Sequence, residues 1–203
     1  MEYSVGKKIA AEKKERSDEK NNILQGVITN NSLVINEEIC WLSNIINLRL
    51  KPLLDTANED VYFSNFPPPD LSNKSCPYAD FVKENEIGHT ERLVLICSLV
   101  PHISPETFTE KLRSGESGLK IKYPKLGGYF DSTFTNFVPT LQTVVYLLGG
   151  EDISSVLYNH LFLIEKSTLI KEQIITLRPV STSEDDTNMR NHSVNLAPEY
   201  VDY

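Results

Sequence analysis

At 203 residues, with 40% hydrophobic and 24% charged side chains, the chain has the composition of a globular protein rather than a disordered or fibrous one. Its length suits one ordinary domain with tails, or at most two small domains. The 28 acidic and 20 basic residues leave a net charge of −8, which disfavours bulk, non-specific nucleic-acid binding because that requires a cationic surface.

The longest apolar runs, Leu93–Cys97 and Val144–Leu148, fall far short of a bilayer crossing. The N-terminal lysines alternate with acids and lead into no apolar segment, so no secretory signal is read there. Cys40, Cys76 and Cys97 are odd in number and widely spaced. None of His89, His102, His160 and His192 stands at metal-ligand spacing. A soluble cytoplasmic protein with reduced thiols, no metal and no membrane contact is expected. Cys40 and Cys97, both inside apolar helical patterns, should pack as small hydrophobes.

In chain order, residues 1–31 form a polar leader of mixed charge, helical or disordered. The globular part is expected over 32–179. Ile35, Ile39, Leu42, Ile46, Leu50 and Leu53 recur at helical spacing and predict a helix over 36–51. Asn36 would be its N-cap, with Glu37 and Glu38 complementing the dipole and Ile35 stapling against Cys40. Pro52 would stop it. Pro67-Pro68-Pro69 then demands an extended connector, pinned by Tyr62, Phe63 and Phe66.

Pro77 opens a short helix carrying Tyr78, Phe81 and Val82. Thr90 is the expected cap of a helix running from Glu91 to Val100. That helix is apolar nearly all round, so it should cross the centre of the domain and end at Pro101. Ser104-Pro105-Glu106 restarts a helix that Gly115 closes. Leu119, Ile121 and Tyr123 alternate with lysines as in a strand, Gly127-Gly128 is a turn, and the segment bearing Phe130, Phe134 and Phe137 suits the arm of a hairpin. Leu141, Val144, Val145 and Leu148 mark a helix ended by Gly149-Gly150. Asp152 caps another bearing Ile153, Val156, Leu157, His160 and Leu161, and Ile174–Leu177 reads as a strand. Residues 180–203 are expected to be a linker and a C-terminal segment, apolar again from Val194, leading toward a following module. The pattern predicts a compact single α+β domain, predominantly helical, with a small β element.

The sequence contains no GxxxxGK[ST]; the nearest approach, Gly115–Lys120, has the wrong length and lacks the hydroxyl. GxGxxG and GxSxG are absent too. Cys97 and His102 flank a helix break and form no nucleophile–base pair. No catalytic, cofactor-binding or metal-binding residue is therefore assigned, and no cofactor is expected. Glu91-Arg92 is a charged pair at the head of the most apolar helix. It could form an interface contact, or serve the helix dipole while the arginine bridges to a neighbouring helix. One cluster departs from the acidic balance: Lys111, Arg113, Lys120, Lys122 and Lys125, with Tyr123 and Tyr129 close by. It is the candidate partner-binding surface, weighed against a plain solvated strand face.

Several segments form a series: Glu91-Arg92-Leu93, Pro101-His102-Ile103-Ser104-Pro105, Gly127-Gly128, Pro139-Thr140 with Thr143, Leu147-Leu148-Gly149-Gly150, and the closing Leu196-Ala197-Pro198-Glu199-Tyr200. The series resembles the N-terminal region of bacterial AAA-type ATPases encoded beside phage-tail-like contractile injection systems, over residues 85 to 203. The resemblance implies a non-catalytic adaptor domain, which a winged-helix-like or other small helical architecture would suit, that binds a protein component of the same apparatus and oligomerises through a parent ATPase module. Two other readings stay open: a free-standing interaction or structural protein, and a winged-helix nucleic-acid-binding protein.

Overall fold

The computed structural model describes residues 2–50, 63–112, 124–133, 135–180 and 188–201 of the chain, with side chains over residues 18–200 of these. Among the described residues the chain is predominantly helical and carries two small antiparallel two-stranded sheets, an α+β architecture. The predicted strand around Leu119–Tyr123, Phe134, Pro52, Leu53, Gly115 and the polar stretch 181–187 lie outside the described residues.

Contacts divide the chain into two compact units: Met1–Glu37 with Asp70–Glu86, and Glu38–Pro69 with Ile87–Tyr203. Helix α1, Glu2–Arg49, contributes to both. Within the first unit, α2 (Pro77–Glu84) starts with proline at its first position, where the missing N–H costs nothing. Cys76 precedes it without a side-chain cap, and the cap comes from elsewhere: the Tyr78 amide donates to Asn31 Oδ1 at 2.9 Å. Lys74 bonds Glu37 at 2.8 Å, and Val34, Leu71, Cys76, Tyr78, Ala79 and Val82 are buried.

In the second unit, residues 38–49 of α1 bury Glu38, Trp41, Leu42, Ile45 and Ile46. Three expectations for this helix are corrected. It begins far upstream of Asn36, which is an exposed mid-helix residue and not a cap. Its buried face is rotated away from Ile35 and Ile39, which are half-buried, and it includes Glu38, so counting apolar residues alone misplaces it. Cys40 falls on the outer side and is exposed.

Helix α3 (His89–Ile103) crosses the middle of this unit as its composition predicts, with Leu93, Val94, Ile96, Cys97 and Val100 fully buried. Burial in apolar surroundings pushes the Cys97 thiol far up. The helix starts earlier than expected, with Gly88 rather than Thr90 at the cap position, and it runs past Pro101. A proline in the last turn forfeits one hydrogen bond, and the Ser104 amide still reaches the Val100 carbonyl at 2.9 Å. Helix α4 (Glu106–Leu112) follows as Ser104-Pro105-Glu106 announces.

Gly127 and Gly128 both take positive φ, 71° and 79°. They turn the chain into strand β1 (Tyr129–Phe130), which pairs antiparallel with β2 (Phe137–Val138), so the segment expected to be one arm of a hairpin holds both strands of one. Phe137, fully buried, sits 5.2 Å from the Phe108 ring and 5.7 Å edge-on from Phe130. Helix α5 (Leu141–Gly149) carries a capping box of Thr140 and Thr143 and ends at Gly150, φ 61°. Helices α6 (Ile153–Glu165) and α7 (Thr168–Lys171) lead to β3 (Ile175–Arg178), the predicted strand. Its partner is β4 (Ser193–Leu196), with Leu177 opposite Val194; α8 (Pro198–Val201) follows. Residues 193–197 thus belong to the folded unit. Val194, Leu196 and Ala197 are buried there, and β4 packs beside α3.

Candidate functional site

Helix α6 is apolar on two sides, and only one side is covered. Gly149, the last residue of α5, lets the two helices approach closely: a Cβ added there would sit 2.9 Å from the Val156 amide nitrogen. Val156 and His160 are half-buried on this inward side and Leu163 is fully buried, at helical spacing. On the other side Leu157, Tyr158 and Leu161, together with Ile153 at the helix start, are 52–75% exposed. Tyr158 also stacks along the helix on Phe162, ring centroids 6.4 Å apart. A helix apolar all round belongs inside a fold, whereas this one leaves an apolar stripe uncovered.

The scaffold beneath this face is fixed by polar contacts. Asp152 accepts from the Ser155 amide at 2.7 Å as the N-cap of α6, and hydrogen bonding to Ser155 holds its carboxyl below the usual range. Arg49 reaches across from α1 and donates to the carbonyls of Leu147 and Leu148, both at 2.9 Å, which satisfies orphan acceptors at the end of α5. Burial lowers the basicity of His160, and the nearby Arg190 charge adds to this.

The predicted basic cluster is only partly described. Lys111, at the end of α4, donates to the Ser43 carbonyl at 3.3 Å, and burial lowers its pKa. Lys125 forms an ion pair with Glu151 at 2.7 Å, which raises its pKa. Arg113, Lys120 and Lys122 lie outside the described residues.

Glu91 and Arg92 are both buried, each with partners inside the fold. The Glu91 carboxylate accepts from the Ser167 hydroxyl at 2.8 Å and from the Leu169 amide at 3.3 Å, capping α7 rather than only serving its own helix. Arg92 pairs with Glu38 and donates to the Pro69 carbonyl at 2.9 Å. Trp41 Nε1 donates to the Phe66 carbonyl at 2.8 Å, and His89 Nε2 lies 3.0 Å from the same oxygen. The aromatic–proline connector is therefore pinned by Phe63, whose ring lies tilted against His89 with centroids 4.2 Å apart, and by this polar node, while Tyr62 lies outside the described residues. Among the described residues no group of His, Cys, Asp or Glu is placed to hold a metal ion, and no helix is long and apolar enough to cross a membrane.

Tyr158 was not singled out by the sequence. The signal that finds it is the presence of apolar residues on both sides of α6. Set against protein-family models, curated proteins and solved structures, the chain matches none.

Proposed function

We propose that this chain is a non-catalytic protein-interaction domain that docks a partner on the outward face of α6. The observation that supports it is the stripe of Leu157, Tyr158 and Leu161, with Ile153, exposed on a helix whose other side is packed. Tyrosine flanked by leucines is the composition of an interface anchor, because an amphipathic ring gives a large contact area at small entropic cost. The resemblance of residues 85–203 supplies the context: an adaptor at the N-terminal side of an AAA-type ATPase, recognising a component of a phage-tail-like contractile apparatus.

Photo-crosslinking tests the reading. A benzophenone side chain at position 158 should yield one discrete crosslinked protein in the producing cells, and Leu157→Asp should abolish it. The same probe at the exposed Glu172 should yield none. Equal crosslinking from both positions, or none from 158, sinks the α6 reading. A product that is no component of the apparatus sinks the context. In calorimetry the chain should neither bind nor hydrolyse ATP.

A further inference from the structure

Residues 18–30 of α1 are exposed on every side. Their composition is poor for an isolated helix: Asn21, Asn22, Gly26, Val27, Ile28, Thr29 and Asn30 are all weak helix formers. A bare helical stretch of this kind is marginal in water, and helices are held mainly by covering an apolar face. Such a face exists. Ile23, Leu24, Val27 and Ile28 cluster on one side and are 41–63% exposed. Leu24 and Val27 continue the row whose next members, Asn31 and Val34, are already engaged in the first unit, Asn31 by capping α2 and Val34 by burial. The uncovered patch is thus the extension of an existing contact row.

We infer that this patch pairs with the same patch of a second copy of the chain, antiparallel about a two-fold axis midway between Gln25 and Gly26. The sequence Asn21-Asn22-Ile23-Leu24-Gln25-Gly26-Val27-Ile28-Thr29-Asn30 is nearly palindromic in polarity. A two-fold contact brings a surface against itself, so residue i meets j and j meets i. About this axis Ile23 faces Ile28 of the second copy and Leu24 faces Val27, so the four apolar side chains of the patch meet apolar ones. Beyond the patch Asp18 and Glu19 fall level with Leu33 and Ser32, and Lys20 with Asn31, which α2 already engages, so the contact is confined to residues 21–30 and no charge meets a like charge. A parallel pairing would place the exposed Asp18 and Glu19 each opposite its own copy. The contact is smaller than the ~1,200 Å² of a standard interface, so the dimer is weak and concentration-dependent.

Sedimentation equilibrium of the full chain tests this over about 5–500 μM, a range that brackets weak association. Wild-type protein should pass from monomer toward dimer. Leu24→Glu and Val27→Lys should each leave only monomer, because each homodimer would bury two unpaired charges. An equimolar mixture of the two variants should dimerise again: one contact becomes a carboxylate against an ammonium, and the other stays valine against leucine. This rescue is specific to the antiparallel register, and it shows that both variants are folded. Wild-type protein that stays monomeric throughout overturns the inference. A dimer that survives both single substitutions also overturns it, by placing association elsewhere, the α6 face included. Loss in both variants without rescue overturns the antiparallel register. The α6 crosslink is independent of all three outcomes.

Discussion

Glu38 on α1 and Arg92 on α3, 54 positions apart in sequence, form an ion pair almost wholly removed from solvent. The pair is not isolated, since the same guanidinium also holds the Pro69 carbonyl. Burying two charges is costly, and their attraction with additional hydrogen bonds offsets that cost; removing one partner leaves the cost without the offset. Glu38→Ala should therefore lower the urea-unfolding free energy by about 3–5 kcal/mol. The double variant Glu38→Leu/Arg92→Met should be more stable than either single one. A Glu38→Ala protein with an unchanged midpoint would mean the pair contributes nothing.

That relationship also marks the limit of what the sequence discloses. Local signals are legible: the Asp152 cap, the Gly127-Gly128 turn, the apolar α3 and the strand at Ile175 all arise from neighbours in sequence. Glu38 reads as a dipole-complementing acid because its true partner is remote. Asn36 reads as a cap because nothing local reveals that the helix has already begun. The pairing of β4 with β3 is likewise non-local, made across residues 179–192, so a strand of only four residues passes for a tail. For the α6 site, spacing identifies the helix and its apolar residues. It does not say that Val156 and Leu163 face in while Leu157 and Tyr158 face out, because Gly149 decides which side α5 covers.

Two glycines should respond in opposite directions. Gly128 has φ 79°, and a Cβ there would run into the buried Phe137 ring. Gly128→Ala adds backbone strain to a clash within packed aromatics, so a loss of at least about 2 kcal/mol is expected. Gly26 sits mid-helix, with nothing within 4 Å of an added Cβ. Gly26→Ala should raise stability or helicity by about 0.5–1 kcal/mol. Thermal melts with far-UV circular dichroism compare them; equal effects would contradict both placements.

His89 links stability to pH. Burial, then the neighbouring Arg92 charge, lowers its basicity, against an opposing contribution from the Phe66 carbonyl. His160 is lowered by burial and by Arg190. In both cases the unfolded chain takes up a proton before the folded one does, so stability falls as pH drops through the ordinary histidine value near 6.5 and levels off below the folded pKa. Unfolding free energies between pH 7.5 and 5 should show this decline, and His89→Gln should flatten part of it. A slope of the opposite sign would mean that the folded state binds the proton more tightly.

The basic cluster separates protein from nucleic-acid partners. A winged-helix reading needs Lys111, Arg113, Lys120, Lys122 and Lys125 to meet a phosphate backbone, with affinity falling steeply in salt as counterions are released. Two of these are engaged within the chain: Lys111 bends onto the Ser43 carbonyl, and Lys125 is neutralised by Glu151. The rest of the protein carries an excess of acid, so a polyanion meets repulsion over most of its surface. At about 100 mM salt, where the Debye length is ~10 Å, labelled DNA and RNA should therefore run unshifted with the wild-type chain. Breaking the Lys125 pair with Glu151→Gln frees one cation, and binding should still be absent. A salt-dependent shift that disappears when Lys120, Lys122 and Lys125 are all changed to Glu would reverse this. It would make the cluster, and not the face of α6, the surface through which the protein acts.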